Sequence, residues 1–173
     1  SDPERSEGAL TSINSIEFEK MIKDNFNDFK IEEWTRLKVE VDGKEIEEFA
    51  ISEVFVGEER RFNMSRHIIK LKNHHEEQKG SGLLITTGAG STGWYNSASR
   101  YIFPKGNVFS KSSKEARFIL TEPYDGRLSK YRLINGKIKN KEFLEIISLS
   151  DSSPYLSVDS LKLVKLREGA KIK

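Results

Sequence analysis

Short apolar runs separated by turn residues fill the chain from Leu37 to its end, and this pattern limits the fold more than any other feature. In Leu37–Val41 every second residue is apolar and the residues between are charged, as in a half-buried strand. Asp42-Gly43 then supplies the positive φ angles that a tight type I′ turn needs. The next apolar run, Phe49 to Val56, is therefore predicted to return as the hairpin partner of the first strand.

Later runs have the length and composition of further strands: Ile68–Leu71, Leu83–Thr86, Phe118–Leu120, Phe143–Leu149, Tyr155–Val158 and Leu161–Leu166. Turns are predicted at Asn135-Gly136, Ser152-Ser153-Pro154 and Glu168-Gly169. The charged stretch Lys70–Lys79 is predicted to be a solvated hairpin tip or loop. Because strands dominate and no β-α alternation is evident, the sequence predicts a mainly β domain of the α+β type with antiparallel pairing.

One helix is predicted near the start of the chain. Asn14 followed by Glu17 has the spacing of a capping box. Apolar side chains then recur at helical spacing, and we interpret them as a packing face: Phe18, Ile22, Phe26 and Phe29.

Charge and composition exclude several classes of protein. The 173 residues suit one domain, and 29 Lys and Arg against 27 Asp and Glu give a net charge of +2. Nucleic-acid binders usually concentrate a clear basic excess, so no nucleic-acid partner is predicted. Cysteine is absent, which removes disulfides and thiolate metal sites. No apolar stretch approaches the ~20 residues of a membrane span, and an intracellular protein without a membrane partner is expected.

The histidines argue against metal binding and catalysis. His67 precedes a strand, while His74 and His75 are neighbours that would point apart in an extended chain. Neither the HExxH spacing of zinc enzymes nor the GxSxG elbow of serine hydrolases occurs. No metal site and no catalytic residue is predicted in this chain.

The most informative stretch is Gly80–Tyr95, an apolar strand that runs into a loop rich in glycine and hydroxyl groups. Glycines allow close approach of the backbone to a ligand, and N–H and hydroxyl groups are donors suited to ribose and phosphate oxygens. Gly88, Gly90 and Gly93 spell GxGxxG, but the βαβ context of a Rossmann turn is missing. A structural turn, a nucleotide or phosphate loop and a Rossmann turn all remain open at this point.

A carboxylate, Glu53, interrupts the apolar run Ala50–Gly57. A carboxylate on a buried strand must find donors or a cation, or stay protonated. Glu53 either sits on the polar face or edge of the sheet, or accepts hydrogen bonds from ligand hydroxyls.

Together, Ala50–Gly57 and Gly80–Trp94 resemble the C-terminal domain of NAD kinases, and the likeness extends across almost the whole chain. Asp2–Gly8, read as DPERSEG, is similar to a segment of the mitochondrial-type subgroup. Thr121-Glu122-Pro123 and Ser157-Val158-Asp159 are supportive matches. The resemblance implies an antiparallel, β-sandwich-like domain with one N-terminal helix.

The resemblance also implies an activity, the transfer of the ATP γ-phosphoryl group to the adenosine-ribose 2′-hydroxyl of NAD. Residues 1–33 would be a connecting segment and helix after an N-terminal α/β domain, and residues 34–173 the NAD-binding and assembly domain. ATP and Mg²⁺ would belong mainly to the N-terminal domain, whose Gly-Gly-Asp-Gly motif does not occur here. The chain is thus expected to be inactive alone, to form a dimer or tetramer, and to come from the cytoplasm or the mitochondrial matrix.

The resemblance assigns NAD contacts to one set of residues: Ser52, Glu53, Ser81, Gly90, Ser91, Thr92, Gly93, Trp94 and Ser97. Ser52 stands where most members have Asn, Ser81 where many have an acid, and Trp94 where Tyr is common. The replacement at Ser52 supports an alternative, a non-catalytic NAD(P)-binding sensor or scaffold. A related lipid or sphingoid kinase is a third possibility.

Overall fold

A computed structural model describes residues 13–24, 31–124, 126 and 130–173. Its helices are α1 (Ser15–Lys23) and α2 (Trp94–Ala98), the second preceded by a 3₁₀ turn at Gly90–Thr92. Its strands are β1 (Glu40–Val41), β2 (Lys44–Glu45), β3 (Glu53–Glu58), β4 (Ser65–Leu71), β5 (His74–Gly80), β6 (Gly82–Thr86), β7 (Glu115–Thr121), β8 (Asn135–Lys139), β9 (Leu144–Ser148), β10 (Pro154–Val158), β11 (Lys162–Lys165) and β12 (Lys171–Ile172).

Within the described residues, the strands form two six-stranded antiparallel sheets that pack face to face. The first sheet has the order β2-β1-β12-β9-β4-β5 and the second has the order β11-β10-β3-β6-β7-β8. The main core lies between them and takes apolar side chains from both sheets, among them Val54, Leu83 and Phe118 from the second and Ile69 and Ile146 from the first. The predicted mainly β, antiparallel, sandwich-like fold is therefore confirmed.

Helix α1 begins at the predicted cap. The side chain of Asn14 accepts hydrogen bonds from the N–H groups of Ile16 and Glu17, and Glu17 accepts one from the N–H of Asn14. No residue of α1 is buried, and Phe18 and Ile22 are each 49% exposed. The packing face is therefore not buried in the described residues, and its other two members, Phe26 and Phe29, lie outside them.

The first hairpin has the predicted turn but a different partner strand. Asp42 and Gly43 adopt φ angles of 50° and 79°, as the type I′ turn requires. The strand that returns is β2, paired with β1, and not Phe49–Val56. From the predicted partner run, Ala50 forms an isolated bridge to Leu37. The chain crosses here to the second sheet, where β3 lies between β10 and β6.

Two further predictions differ from the structure in whole or in part. The hairpin tip predicted within Lys70–Lys79 is present at Lys72-Asn73, but most of the stretch belongs to the paired strands β4 and β5, and β5 is an edge strand. Asn135-Gly136 is not a turn, because it opens β8 and pairs with β7. A Cβ at Gly136 would lie 2.6 Å from the Phe118 ring, so glycine is required there by packing. The Glu168-Gly169 turn is confirmed, with Gly169 at φ 77°.

The two faces of the second sheet differ in character. Along β3, Val54 and Val56 point into the main core, while Phe55 packs into a smaller apolar cluster on the outer face. Alternation places Glu53 on that outer face as well. No helix in the described part of the chain is long and apolar enough to cross a membrane.

Candidate functional site

The outer face of the second sheet is covered by the chain that follows β6. This chain makes the 3₁₀ turn and α2, and Tyr95 packs there against Leu84 and Ile119 of the sheet. Phe55 and Trp94 lie at the edge of the same cluster. The glycine- and hydroxyl-rich loop, residues 87–93, is therefore held between the sheet and α2.

The first half of this region is buried. Residues 86–91, from Thr86 to Ser91, all have little or no exposed surface. The N–H of Thr87 donates to the Ser52 carbonyl at 2.9 Å, and the Thr86 hydroxyl donates to the same oxygen at 3.1 Å. The Thr87 hydroxyl donates to the carbonyl of Ile51. These hydroxyls fix the loop against the turn that leads into β3.

Two of the three loop glycines are required by packing. A Cβ on Gly88 would overlap the Ser110 carbonyl and lie 2.8 Å from the Cα of Lys111. A Cβ on Gly90 would overlap the Ser52 carbonyl and lie 2.7 Å from the Thr86 hydroxyl. At these two positions the structural-turn interpretation of GxGxxG is the one the geometry supports.

The hydroxyl of Ser91 serves the loop itself. It donates to the Gly88 carbonyl at 2.7 Å and accepts from the N–H of Phe109 at 3.1 Å. Ser91 has no exposed surface, so the structure directs its side chain inward, toward the protein.

The second half of the region is accessible. Gly93 and Ser97 are exposed, and Thr92 and Trp94 are partly buried. A Cβ on Gly93 would meet only the Gly90 carbonyl, at 3.6 Å, so the space above this residue is open. Among the described residues, the hydroxyls of Thr92 and Ser97 have no hydrogen-bond partner, and they therefore remain available to a ligand.

An aromatic pair forms one wall of the accessible surface. The rings of Phe55 and Trp94 have centroids 5.0 Å apart at an interplanar angle of 36°. The guanidinium of Arg61 lies 4.9 Å from the Trp94 ring and 5.5 Å from the Phe55 ring. Arg61 also forms an exposed ion pair with Glu122 at 3.6 Å. The surface thus combines stacking area with positive charge.

Glu53 lies beside the loop, on the strand next to β6. It pairs with Thr86 across β3 and β6 and is partly buried. Burial raises the pKa of its carboxyl group, and the negative charge of Asp159 raises it further. In the part of the chain that the structure describes, no donor bonds to the Glu53 carboxylate, so a half-buried acceptor on the outer face of the sheet lies beside the loop without a partner.

Asp159 holds the turn that presents Glu53. Its carboxylate accepts from the N–H groups of Ile51, Ser52 and Glu53 at 2.7, 2.8 and 2.9 Å. Three donors on one carboxylate fix the backbone of this turn firmly. The hydroxyl of Ser52 is partly buried and has no hydrogen bond among the described residues.

Ser81 lies at the other end of β6 from the buried half of the loop, near the aromatic pair, since the Phe55 ring packs over the neighbouring Gly82. It precedes β6, at the opposite end of that strand from Thr86, and its N–H donates to the Thr121 carbonyl at 2.9 Å. At about 3.4 Å per residue, a five-residue separation places Ser81 roughly 17 Å along the strand from Thr86. The other eight predicted residues lie in the loop, in α2, or in the turn that leads into β3 and the first residue of that strand.

Sequence reasoning missed four contributors to this region. Phe55 and Arg61 complete the aromatic surface, and Asp159 fixes the turn before β3. Asn96 is buried in α2, and its Oδ1 has no partner in the described residues. Of these four residues, only Asp159 could have been found from the sequence, because it belongs to the supportive match Ser157-Val158-Asp159. The contacts of the other three depend on pairing between distant segments of the chain.

The described residues contain no group of three or more His, Cys, Asp or Glu side chains placed to hold a metal ion. The acidic pair near the loop, Glu53 and Asp159, is therefore not accompanied by a third ligand of this type.

Solved structures of NAD kinases share this fold. Yeast NADH kinase complexed with NADH matches with a TM-score of 0.64 and 17% identity, covering 80% of this chain and 39% of that chain. An NAD kinase from Archaeoglobus fulgidus in complex with ATP matches with a TM-score of 0.62 and 18% identity, covering 91% of this chain and 55% of that chain. No family model and no curated protein matches the sequence.

The chain therefore has an NAD kinase-like fold. At 17% and 18% identity, the likeness establishes architecture and not chemistry. The chain spans 39% and 55% of the lengths of these two proteins, so it corresponds to only part of each.

Proposed function

We propose that this chain is the NAD-binding, β-rich domain of an ATP-dependent NAD kinase. The observation that carries the proposal is the carboxylate of Glu53, which lies beside the start of the loop and has no partner among the described residues. A half-buried carboxylate without donors is costly unless a ligand supplies them. The two hydroxyl groups of a ribose are such donors.

Each accessible residue has a defined role in this proposal. The carboxylate of Glu53 accepts hydrogen bonds from ribose hydroxyls, while Thr92 and Ser97 donate to ribose or phosphate oxygens. The exposed Gly93 lets the ligand approach the backbone, and Trp94 offers a ring for stacking against a base. Gly90, Ser91 and Ser52 support the site through the backbone, because their packing and hydrogen bonds join the loop to the turn before β3.

The remaining parts of the proposal follow the resemblance. Residues 1–33 connect to an N-terminal α/β domain, and residues 34–173 bind NAD and take part in assembly into a dimer or tetramer. ATP and Mg²⁺ bind mainly through the N-terminal domain, so the catalytic residues are not in this chain. The DPERSEG run, outside the described residues, supports placement in the mitochondrial-type subgroup, with the mitochondrial matrix or the cytoplasm as compartment.

A second candidate, a non-catalytic NAD(P)-binding sensor or scaffold, is favoured by Ser52. Its single hydroxyl replaces the amide that most NAD kinases have, so one hydrogen bond to the ligand is lost. The encoded sequence upstream of Ser1 discriminates between the two: a Gly-Gly-Asp-Gly motif there supports the kinase, and an unrelated domain supports the sensor.

Thermal unfolding with and without NAD tests the proposal. NAD at 100-fold over its dissociation constant should stabilise the folded chain by about 2.7 kcal/mol, whereas ATP alone should shift the melting temperature little. Incubation with NAD, ATP and Mg²⁺ should yield no NADP. Stabilisation by ATP but not by NAD would contradict the proposal, and NADP formation would refute the assignment of catalysis to another domain.

A further inference from the structure

A cleft of about 700 Å³ is lined by residues of both sheets. Its floor consists of apolar core residues from both sheets: Val39, Val54, Val56, Ile85, Leu144 and Ile146. Pockets of roughly 300–1,000 Å³ with apolar walls are typical of small-molecule sites. The cleft is therefore large enough for an organic ligand and offers it mainly apolar contacts.

The mouth of the cleft carries an excess of positive charge. Six basic residues line it against three glutamates, and the basic residues are Arg36, Lys38, Lys114, Lys139, Lys141 and Lys173. Two of the three glutamates already pair with cations outside the lining, Glu115 with Arg117 at 2.8 Å and Glu142 with Lys72 at 3.0 Å. Of the basic residues, Lys38 is itself paired with Glu45 at 2.5 Å, so the excess positive charge rests on the other five.

Three lysines at the mouth lack an ion-pair partner. In the described ranges of the chain, no carboxylate lies within 4.0 Å of the ammonium group of Lys114, Lys139 or Lys141. An anionic group at the mouth would gain from these charges, because they are concentrated beside a low-dielectric cavity. The apolar floor and the cationic mouth together suit an amphiphile, with its anionic head at the entrance and its chain between the sheets.

We propose that this cleft binds an unbranched fatty acid, with the aliphatic chain between the sheets and the carboxylate at the lysines of the mouth. The site is separate from the proposed nucleotide site, because Val54 and Val56 face the cleft while Glu53 and Phe55 face the opposite side of the sheet. The inference goes beyond NAD binding, and each site can be tested without the other.

Calorimetric titration of the 173-residue chain with hexanoate, octanoate and decanoate tests the chain-length dependence. Each buried methylene is expected to raise the affinity about fourfold, and each acid should bind once per chain. Decanol, which has the same chain without the charge, should bind more weakly than decanoate. Absence of saturable binding, or affinities that do not change with chain length, would overturn the proposal.

Charge reversal at the mouth tests the orientation of the ligand. The triple variant Lys114→Glu, Lys139→Glu and Lys141→Glu should weaken decanoate binding about tenfold or more and leave decanol binding nearly unchanged. As a control, the exposed residues Lys44, Lys105 and Lys165, which lie outside the cleft, are each changed to Glu. This control variant has the same net charge as the first triple variant. Equal loss of decanoate affinity in both triples would show non-specific attraction and overturn the site.

Filling the cavity gives a second, independent variant. Ala116 lines the cleft from β7, and Ala116→Leu should reduce binding of decanoate more than that of hexanoate, because less of a long chain fits. Unchanged decanoate binding in a folded Ala116→Leu variant would contradict a location between the sheets. If Ala116→Leu does not fold, the comparison of the two lysine triple variants still tests the location of the site. NAD binding is measured on the same variants, because it shows whether the proposed nucleotide site on the opposite face of the sheet is intact.

Discussion

The two halves of the region after β6 have similar residues but opposite roles. Residues 86–91 contain glycines and hydroxyls that are buried, closely packed and hydrogen-bonded within the protein. In residues 92–97, Tyr95 and Asn96 are buried, but the space above Gly93 is open and the hydroxyls of Thr92 and Ser97 have no partner among the described residues. A composition typical of ligand loops therefore serves as a scaffold in one half and as a contact surface in the other.

The difference shows how the site is built. The buried half fastens the loop to the turn before β3, so that Glu53 and the loop lie on the same outer face of the sheet. Changes in the buried half should act on stability, and changes in the accessible half should act on ligand binding. The variants below test this division, from the largest expected effect to the smallest.

Gly88→Ala should have the largest effect on stability. The new methyl group meets backbone atoms of Ser110 and Lys111, which cannot move aside as a flexible side chain would. We expect a loss of about 3 kcal/mol or more, measured by urea unfolding. Gly126→Ala is the matched control, since the nearest atom to its Cβ is Tyr124 Cε1 at 3.8 Å. A Gly88→Ala chain as stable as the control would show that the buried half is not a packed scaffold.

Asp159→Ala should destabilise the fold by about 2 kcal/mol, because three backbone N–H groups lose a charged acceptor. NAD binding should also weaken, since the turn that presents Glu53 is released. Asp151→Ala, at an exposed acid before β10, should change neither property. Thermal unfolding with and without NAD measures both effects, and full NAD affinity in Asp159→Ala would argue against a positioning role.

Acid should destabilise the whole sandwich through His67. Burial lowers the pKa of this imidazole to about 4, and its hydrogen bond with Gln78 at 3.2 Å compensates only in part. The unfolded chain takes up the proton first, near pH 6.5, so the stability present above that pH falls as pH decreases toward 4. The loss between pH 7.5 and pH 5 should be about 2 kcal/mol.

Unfolding free energies across this pH range measure that loss. The variant His67→Gln cannot titrate, and its stability should stay nearly constant over the same interval. An equal pH dependence in both chains would assign the effect to other groups.

Trp94→Leu should change ligand affinity more than stability. The indole is only partly buried, and its ring supplies stacking area beside Phe55. Loss of one base-stacking contact is worth about 1–3 kcal/mol, so NAD affinity should fall about tenfold or more. Trp94→Phe should restore most of it. If leucine and phenylalanine variants bind NAD equally well, the aromatic wall does not contact the ligand.

The alternation of apolar residues was enough to predict the fold class, because each strand's pattern is local. It failed where a distant contact decides, since Asn135-Gly136 forms a strand that pairs with β7 and packs against the Phe118 ring. For Lys70–Lys79 it predicted the hairpin tip but not the length of the charged edge strand β5. For the site, sequence and resemblance identified the loop and Glu53. They could not tell which glycines face solvent, since that depends on the approach of Ser110 and Ser52.

The most direct test of the account is calorimetric titration of NAD into the native chain and into Glu53→Ala. We predict that the variant loses about tenfold or more in NAD affinity, as expected when a charged acceptor is removed. Its stability without ligand should be unchanged or slightly higher at neutral pH, because the raised pKa of Glu53 means that folding disfavours its ionised form. Unchanged NAD affinity, or a large loss of stability without ligand, would contradict a carboxylate held ready for ribose.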